Sequence, residues 1–456
     1  MLYVKDIIEK CGGVLLCGDE SLPLNNFSKD TRTIKEKDVY IGIKGESFDG
    51  NNFYKDAFDK GASVCILDNI DIKEIPDNYK NKTIVKVENT IKCIGLLAKY
   101  KRSLYNIPVV AVTGSVGKTS TKELIASTLS TKYKVLKTEA NYNNHIGLPL
   151  TILKLTDEEI LVLEMGMNNK NEISYLTNIA KPTIGVITNV GMAHIGNLGS
   201  RENIMKAKLE LTEGLSGPLI INNDNDMLHN NLDYIKTLSQ VITIGIDNKS
   251  DYMATNIKED TFYVNGEKIT SPINNKAFIY NSLVSFVVGM LCKVSPDDIR
   301  KGIKNMHLTS NRLEYKKTKD GVTIIDDTYN SSLDAIIASL EILSKEKGLR
   351  KIAVLGDILE VGDYNREVHR KIGEALLEHN LDIIITIGTN TKYTDEYLEE
   401  KGYTNYYHFD NEEVSHEKIK ELLKEGDVVL IKASHSMKLG NIVSYLINTE
   451  LKSKFI

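Results

Sequence analysis

Ile107-Pro-Val-Val-Ala-Val-Thr-Gly114-Ser-Val-Gly117-Lys118-Thr119-Ser120 decides how this chain is read: an apolar run breaks at a turn bracketed by two glycines and resumes at Thr121-Lys-Glu-Leu-Ile-Ala-Ser-Thr-Leu129 with the pattern of a helix. Glycines in such a turn let backbone N–H groups aim at an anion, a lysine adds a mobile ammonium, and a threonine hydroxyl suits magnesium. Gly114, Ser115, Val116, Gly117, Lys118, Thr119 and Ser120 are therefore expected to hold the phosphates of a nucleoside triphosphate. The loop is the shorter GSVGKTS core, since Val112 stands where the longer motif has its first glycine.

Outward from the loop, strand-like and helix-like segments alternate as in a parallel sheet covered on both faces. The strands expected around it are Ile160–Leu163, Thr183–Thr188, Leu219–Asn222 and Val241–Ile244, with a hairpin at Asn265-Gly266. Before the loop, residues 1–84 read as a mixed α/β block rich in Gly, Asp and Asn turns, including Lys44-Gly45-Glu-Ser-Phe-Asp49-Gly50. A helix from Thr90 to Leu104 leads out of that block. After about residue 311 a further α/β block runs through strands at Val322–Ile325, Ile352–Leu355, Ile383–Ile387 and Val428–Ile431. The expectation is an α/β protein of three domains: 1–84 mixed α/β, 85–310 a phosphate-loop domain with a mostly parallel sheet, and 311–456 Rossmann-like.

With 456 residues, 57 basic and 62 acidic side chains and a net charge of −5, the chain offers no surface for coating nucleic acid. Cys11, Cys17, Cys65, Cys93 and Cys292 are scattered and lack zinc or redox spacing, which points to a reduced, cytoplasmic setting. MLYVKDIIEKCGG reads as neither signal peptide nor anchor, and no stretch approaches the roughly 20 apolar residues of a membrane span.

Polar residues beyond the carboxyl ends of parallel strands are the candidates for chemistry. Glu164 closes the strand Ile160–Leu163 and is placed either to hold magnesium or to cap a turn. His194 follows the next strand, as a metal or carboxylate partner or as an ordinary loop histidine. Lys208 shares the apolar stripe of its helix with Ile204, Ala207 and Leu211, so it must snorkel, pair, or lose its charge and become open to CO2 addition. Asn141, Asn143 and Asn144 precede a Gly147–Pro149 turn suited to a phosphate, sugar or polar substrate. Asp326-Asp327-Thr-Tyr329-Asn330-Ser331 follows a strand and suits a ribose or a cation, or else helix capping by Asn330 or Ser331. Lys316–Lys319 with Asp320-Gly321 reads as a solvated hairpin turn.

Together these segments resemble the Mur ligases over nearly the whole chain, and most closely the branch that adds a dipeptide to a UDP-linked tripeptide. Ser28-Lys-Asp30-Thr-Arg32 with Lys44, Gly45 and Asp49 is similar to the family's uridine-nucleotide block, GSVGKTS to its ATP loop, Asn141–Pro149 to its substrate-facing segment and DDTYNS to the dipeptide-adding branch. The resemblance implies ATP-driven amide formation between UDP-N-acetylmuramoyl-tripeptide and D-alanyl-D-alanine through an acyl phosphate. It also implies ATP and Mg2+ as the small ligands, a carbamylated Lys208, and a monomer. Lys118, His194 and Lys208 would be catalytic, with Thr119, Glu164, His194 and Lys208 toward the metal. Arg312 and Asp327 would hold ATP from the third domain, Asn281 its adenine, and Tyr329 and Asn330 the substrate. Phe278, Ala433, His435 and Asn51 depart from the family's pattern, which puts the adenine contact and a substrate contact in question. A tripeptide-forming or polyglutamate-adding ligase, or a nucleotide-binding regulator without ligase activity, are the alternatives. The third residue of the acceptor peptide is not readable.

Overall fold

Strands with apolar side chains on both faces dominate the interior, as a sheet sandwiched between helices requires. The computed structural model describes residues 1–306 and 311–449. Residues 307–310, where the second and third blocks were expected to meet, lie outside the described residues.

The first domain carries a five-stranded sheet in the order Val14–Cys17, Thr83–Lys86, Val64–Leu67, Val39–Ile41, Phe27–Ser28, antiparallel only in its first pair. Val39, Ile41, Val64 and Ile66 face one core, and Tyr40, Cys65 and Leu67 face the other, beside Tyr54 and Phe58. The strand Thr83–Lys86 straddles the boundary expected at residue 84, so the sheet of the first domain runs to Lys86. Helix Thr90–Ser103 then crosses into the second domain. Its Gly95 sits where a Cβ would lie 2.1 Å from Tyr175 Oη, and Arg102 Nε donates to Ala180 O at 2.9 Å.

The central sheet has seven parallel strands in the order Tyr252–Met253, Val241–Gly245, Leu219–Asn222, Ile184–Ile187, Val109–Thr113, Ile160–Glu164, Val135–Lys137. Val110, Val112, Val162 and Val186 pack under helices Lys118–Leu129 and Lys276–Leu291, and Val109, Ala111, Leu161 and Leu163 pack on the opposite side. The expected hairpin forms around Asn265 (φ 50°) and Gly266 (φ 82°), and Thr255–Lys258 joins it as a third strand.

The third domain is a six-stranded sheet in the order Glu314–Lys317, Thr323–Asp326, Val428–Lys432, Lys351–Gly356, Ile383–Ile387, Tyr406–Phe409, parallel except for the hairpin between its first two strands. That hairpin closes over Gly321 (φ 79°), and Lys316 is spent on Asp326 and Glu314. Helix Leu333–Lys345 is capped by Ser332, whose hydroxyl accepts from Ala335 N, so neither Asn330 nor Ser331 is the cap. No helix among the described residues is long and apolar enough to cross a membrane.

The second and third domains meet along a polar seam. Asn275 Nδ2 donates to Ala338 O (3.2 Å) and Glu341 Oε2 (2.9 Å), Met192 N to Asp334 Oδ2 (3.2 Å), and Tyr364 Oη to Gly199 O (2.6 Å). Gly196 packs on Gly362 so closely that a Cβ on Gly196 would stand 2.7 Å from Gly362 N.

Candidate active site

The strand Val109–Thr113 ends on Gly114, whose φ of 151° and closeness to Thr188 leave no room for a side chain: a Cβ there would lie 1.9 Å from Thr188 Oγ1. Gly117, at φ 83°, turns the chain into helix Lys118–Leu129, and no side chain caps that helix. Uncapped first-turn N–H groups and the positive end of the helix dipole are the ingredients of an anion site. Asn189 props the loop from below, accepting from Ser115 N (3.1 Å) and Val116 N (2.9 Å) through its side-chain oxygen and donating to Val116 O (3.2 Å). Lys118 Nζ donates to Gly114 O at 2.8 Å and Ser115 O at 3.3 Å, curled back over its own loop. Burial holds the Lys118 ammonium below its ordinary pKa; Glu164 opposes that shift and Arg312 adds to it.

Glu164 is wholly committed. Its carboxylate accepts from Thr119 Oγ1 at 2.8 Å and from Asn143 Nδ2 at 2.8 Å, and its backbone N donates to Thr138 Oγ1 at 3.0 Å. It is therefore no turn cap but a bridge between the phosphate helix and the Asn141–Asn144 loop. Asn144 stays within its own loop, its side-chain oxygen accepting from Ile146 N and Gly147 N. His194, with φ 63°, pairs through Nδ1 with Glu360 Oε2 of the third domain at 2.9 Å. Burial and the charge of Lys118 push its imidazole below the ordinary value, Glu360 pulls the other way, and Lys208 pushes it down again.

Lys208 does face inward: it is 1% exposed in helix Arg201–Leu209. No hydrogen bond or ion pair reaches its ammonium among the described residues, and burial, helped by the charge of Lys118, drives its pKa well below the usual lysine range. Snorkelling is thereby excluded.

The third domain supplies the opposite wall. Arg312 lies 4.0 Å over the ring of Tyr329, and His435 flanks the same ring at 6.0 Å. Asp327, expected to face a ribose, lines the cavity and is anchored within its own domain: its Oδ2 accepts from Lys432 Nζ at 2.6 Å and Ser339 Oγ at 2.7 Å. Lys432 Nζ also donates to Asn330 O at 2.9 Å. A cavity of about 770 Å³ brings together the loop Ser115–Ser120, Asn141, Asn143, Asn144, Glu164 and His194 with Asn281, Arg312, Asp327, Tyr329, Asn330 and His435. Asn281 stands against Gly117 and accepts from Thr121 Oγ1 at 2.9 Å; Phe278, buried in the central core, lines the same cavity. Ala433 is buried away from it, against Gly356.

The first-domain candidates are not brought into this cavity. Ser28, Asp30 and Arg32 form a local turn in which Arg32 grips Asp30 and holds its carboxyl at about 2. Lys44 bridges to Asp49 in a small antiparallel turn closed by Gly45 N on Phe48 O. Asn51, buried below it, ties Asp49 to Asp68. Sequence reasoning missed Asn189 and Thr188, although both directly follow the strand Ile184–Ile187, where polar residues were expected to matter. It also missed Glu360, 166 residues from its partner, for which the sequence carries no local signal.

A phosphate loop in one lobe, a Rossmann-like lobe opposite, and a cavity between them define a nucleotide-dependent enzyme. Residues 112–289 match the Mur ligase middle domain and residues 311–435 the Mur ligase, glutamate ligase domain. The chain is 35% identical to the UDP-N-acetylmuramoyl-tripeptide–D-alanyl-D-alanine ligase of Bacillus subtilis (strain 168), over 98% of this chain and 99% of that protein. It is 33% identical to the enzyme of the same name from Synechocystis sp. (strain ATCC 27184 / PCC 6803 / Kazusa), over 97% and 96%. Among solved structures, MurF from Acinetobacter baumannii superposes with a TM-score of 0.87 at 26% identity, covering 98% of this chain and 99% of that one. MurF ligase from Thermotoga maritima in complex with ADP superposes with a TM-score of 0.79 at 28% identity, covering 92% and 97%. The chain belongs to the Mur ligase family.

Proposed function

We propose that this protein joins D-alanyl-D-alanine to UDP-N-acetylmuramoyl-tripeptide at the expense of ATP, the last soluble step in building the peptidoglycan precursor. Full-length similarity to ligases of that name supports the substrates. The single structural observation behind the reaction type is the shared cavity, with an uncapped phosphate helix on one wall and Arg312, Tyr329 and His435 on the other.

In this reading the loop N–H groups and Lys118 take the triphosphate, with Arg312 approaching from the third domain. The tripeptide carboxylate attacks the γ-phosphorus, ADP leaves, and an acyl phosphate results. The dipeptide amine then attacks the acyl carbon, forming the amide and releasing phosphate. Cations and N–H groups fixed in advance stabilise charge on the phosphoryl oxygens, and the closed seam keeps out water that would hydrolyse the acyl phosphate. Asn281 lies toward the adenine, Asn141, Asn143, Asn144, Tyr329 and Asn330 toward the peptide, and the Ser28–Asp49 surface toward the uridine nucleotide. Asp327, its Oδ2 on Lys432, lies toward the ribose of ATP from the third domain.

The residues fit magnesium. Among the described residues no three carboxylate, imidazole or thiol groups converge, so the protein offers Thr119 and Glu164, with His194 nearby, and leaves the remaining positions to phosphate oxygens and water. When bound, the ion offsets phosphate charge. Lys208 fits carbamylation: its unpartnered, desolvated amine would add to CO2 with loss of a proton, leaving a carbamate anion in place of a buried neutral amine. The protein works as a monomer in the cytoplasm.

The reading is tested by phosphate release in the presence of ATP and Mg2+. Release requires both the UDP-linked tripeptide and D-alanyl-D-alanine; release at full rate with either omitted refutes it.

A further inference from the structure

A lysine with no place in the mechanism lies one turn below the phosphate loop. Lys122 is 0% exposed, and its Nζ donates to Thr138 O at 2.6 Å and pairs with Glu123 Oε1 at 2.8 Å. The other carboxylate oxygen of Glu123 is held by Lys137. Residues around it on the same helix, Leu124, Ile125 and Leu129, fill the core with hydrocarbon. An apolar residue would pack at position 122 without the desolvation cost of a buried ammonium, a cost on the order of the whole gain from its partner.

What the ammonium secures is a carbonyl, and that carbonyl is strategic. Thr138 ends the strand Val135–Lys137 and begins the loop that reaches Ala140 (φ 47°), Asn141, Asn143 and Asn144 on the cavity wall. The same residue accepts Glu164 N through its hydroxyl. Glu164 in turn receives Thr119 Oγ1 from the phosphate helix and Asn143 Nδ2 from the loop. The hydrogen bonds close a ring: helix at Thr119, Glu164, loop at Asn143 and Thr138, and back to the helix at Lys122. Lys118 with Lys122 and Thr119 with Glu123 are i, i+4 pairs, so one face of one helix meets nucleotide at its first turn and the acceptor loop at its second.

We propose that Lys122 is a positioning residue that sets Glu164 and the Asn141–Asn144 loop at a fixed distance from the phosphate-binding turn, so that nucleotide and acceptor are brought into register through the helix they share. Touching neither substrate, it acts on the turnover step and on the corner around Glu164. The part that concerns turnover rests on the ligase reading above; the part that concerns Glu164 does not.

Two variants test it. Lys122→Met keeps the length of the side chain and leaves Glu123 with Lys137; Thr138→Val keeps the carbonyl contact and removes the hydroxyl that holds Glu164 N. In each, kcat falls about 10- to 100-fold, the range expected when reacting groups are misplaced by the order of 1 Å, while KM for ATP stays within about threefold. The Mg2+ concentration needed for half-maximal ADP binding, read by calorimetry without acceptor or dipeptide, rises about fivefold or more, and Lys122→Arg recovers most of both effects. Lys154→Met removes an exposed ion pair to Glu139 of the same loop and leaves both readouts unchanged. A Lys122→Met protein that loses melting temperature but keeps kcat and the Mg2+ midpoint overturns the proposal, as does a Thr138→Val protein indistinguishable from wild type. If the wild type shows no dipeptide-dependent phosphate release, the ligase reading fails, and the Mg2+ midpoint still decides the role of Lys122.

Discussion

The two walls of the cavity handle charge in opposite ways. On the central wall the donors are left open: among the described residues no side chain caps the helix at Lys118, and Lys118 is satisfied only by the carbonyls of its own loop. On the third-domain wall the buried carboxylates are spent inside the domain, and the half-exposed Glu360 is paired across the seam with His194. Asp327 is taken by Lys432 and Ser339, and Asp326 by Lys316 and Thr328. Only Arg312, stacked on Tyr329, and His435 face the cavity with no carboxylate partner among the described residues. The contrast is between an open helix N-terminus on one side and a wall whose carboxylates are each held by a partner on the other.

The largest effect is expected where the open donors are removed. Lys118→Ala abolishes phosphate release, a loss of about a thousandfold or more of the kind seen when a preorganised charge on a transferring group is deleted. A variant with substantial turnover would mean that the central wall is not the anion site. Lys432→Met attacks the other wall. It leaves Asp327 buried beside Ser339 alone and destabilises the third domain by about 3 kcal/mol in denaturant unfolding, with a smaller loss of activity than Lys118→Ala. Equal stability would show that the pairing there is incidental. Asn189→Ala withdraws the prop beneath the phosphate loop and lowers kcat/KM for ATP by about tenfold, or 1.4 kcal/mol, without changing KM for the dipeptide.

Lys208 gives the smallest and most pH-dependent effect. Its folded pKa lies well below the unfolded one, so between those two values the unfolded chain binds more protons and stability rises with pH. In CO2-free buffer Lys208→Met is therefore more stable than wild type, and the gap narrows as pH climbs toward the ordinary lysine pKa. A gap that is constant with pH contradicts a buried, unpaired amine.

These same walls differ in how far sequence reveals them. The central one is contiguous: strand, glycines, Lys118 and Thr119 occupy a dozen positions, and Glu164 and His194 each follow a strand whose apolar run marks its end. Lys208 was legible from helical periodicity alone. The third-domain wall depends on pairs that periodicity cannot see. Asp327 meets Lys432 across 105 residues, a partner that its position after a strand does not announce. Likewise, the cap at Ser332 instead of Asn330 or Ser331 depended on where the chain leaves the strand. The boundary at 84 failed because Thr83–Lys86 pairs with Val14–Cys17, and a strand's membership in a sheet is a non-local fact.

In the proposed mechanism a carboxylate is activated in this cavity by transfer of the γ-phosphoryl group. Tripeptide substrate labelled with 18O in its terminal carboxylate, turned over with ATP and D-alanyl-D-alanine, should place one 18O atom in each phosphate released. Phosphate that carries no label, with both labelled oxygens accounted for elsewhere, would contradict it.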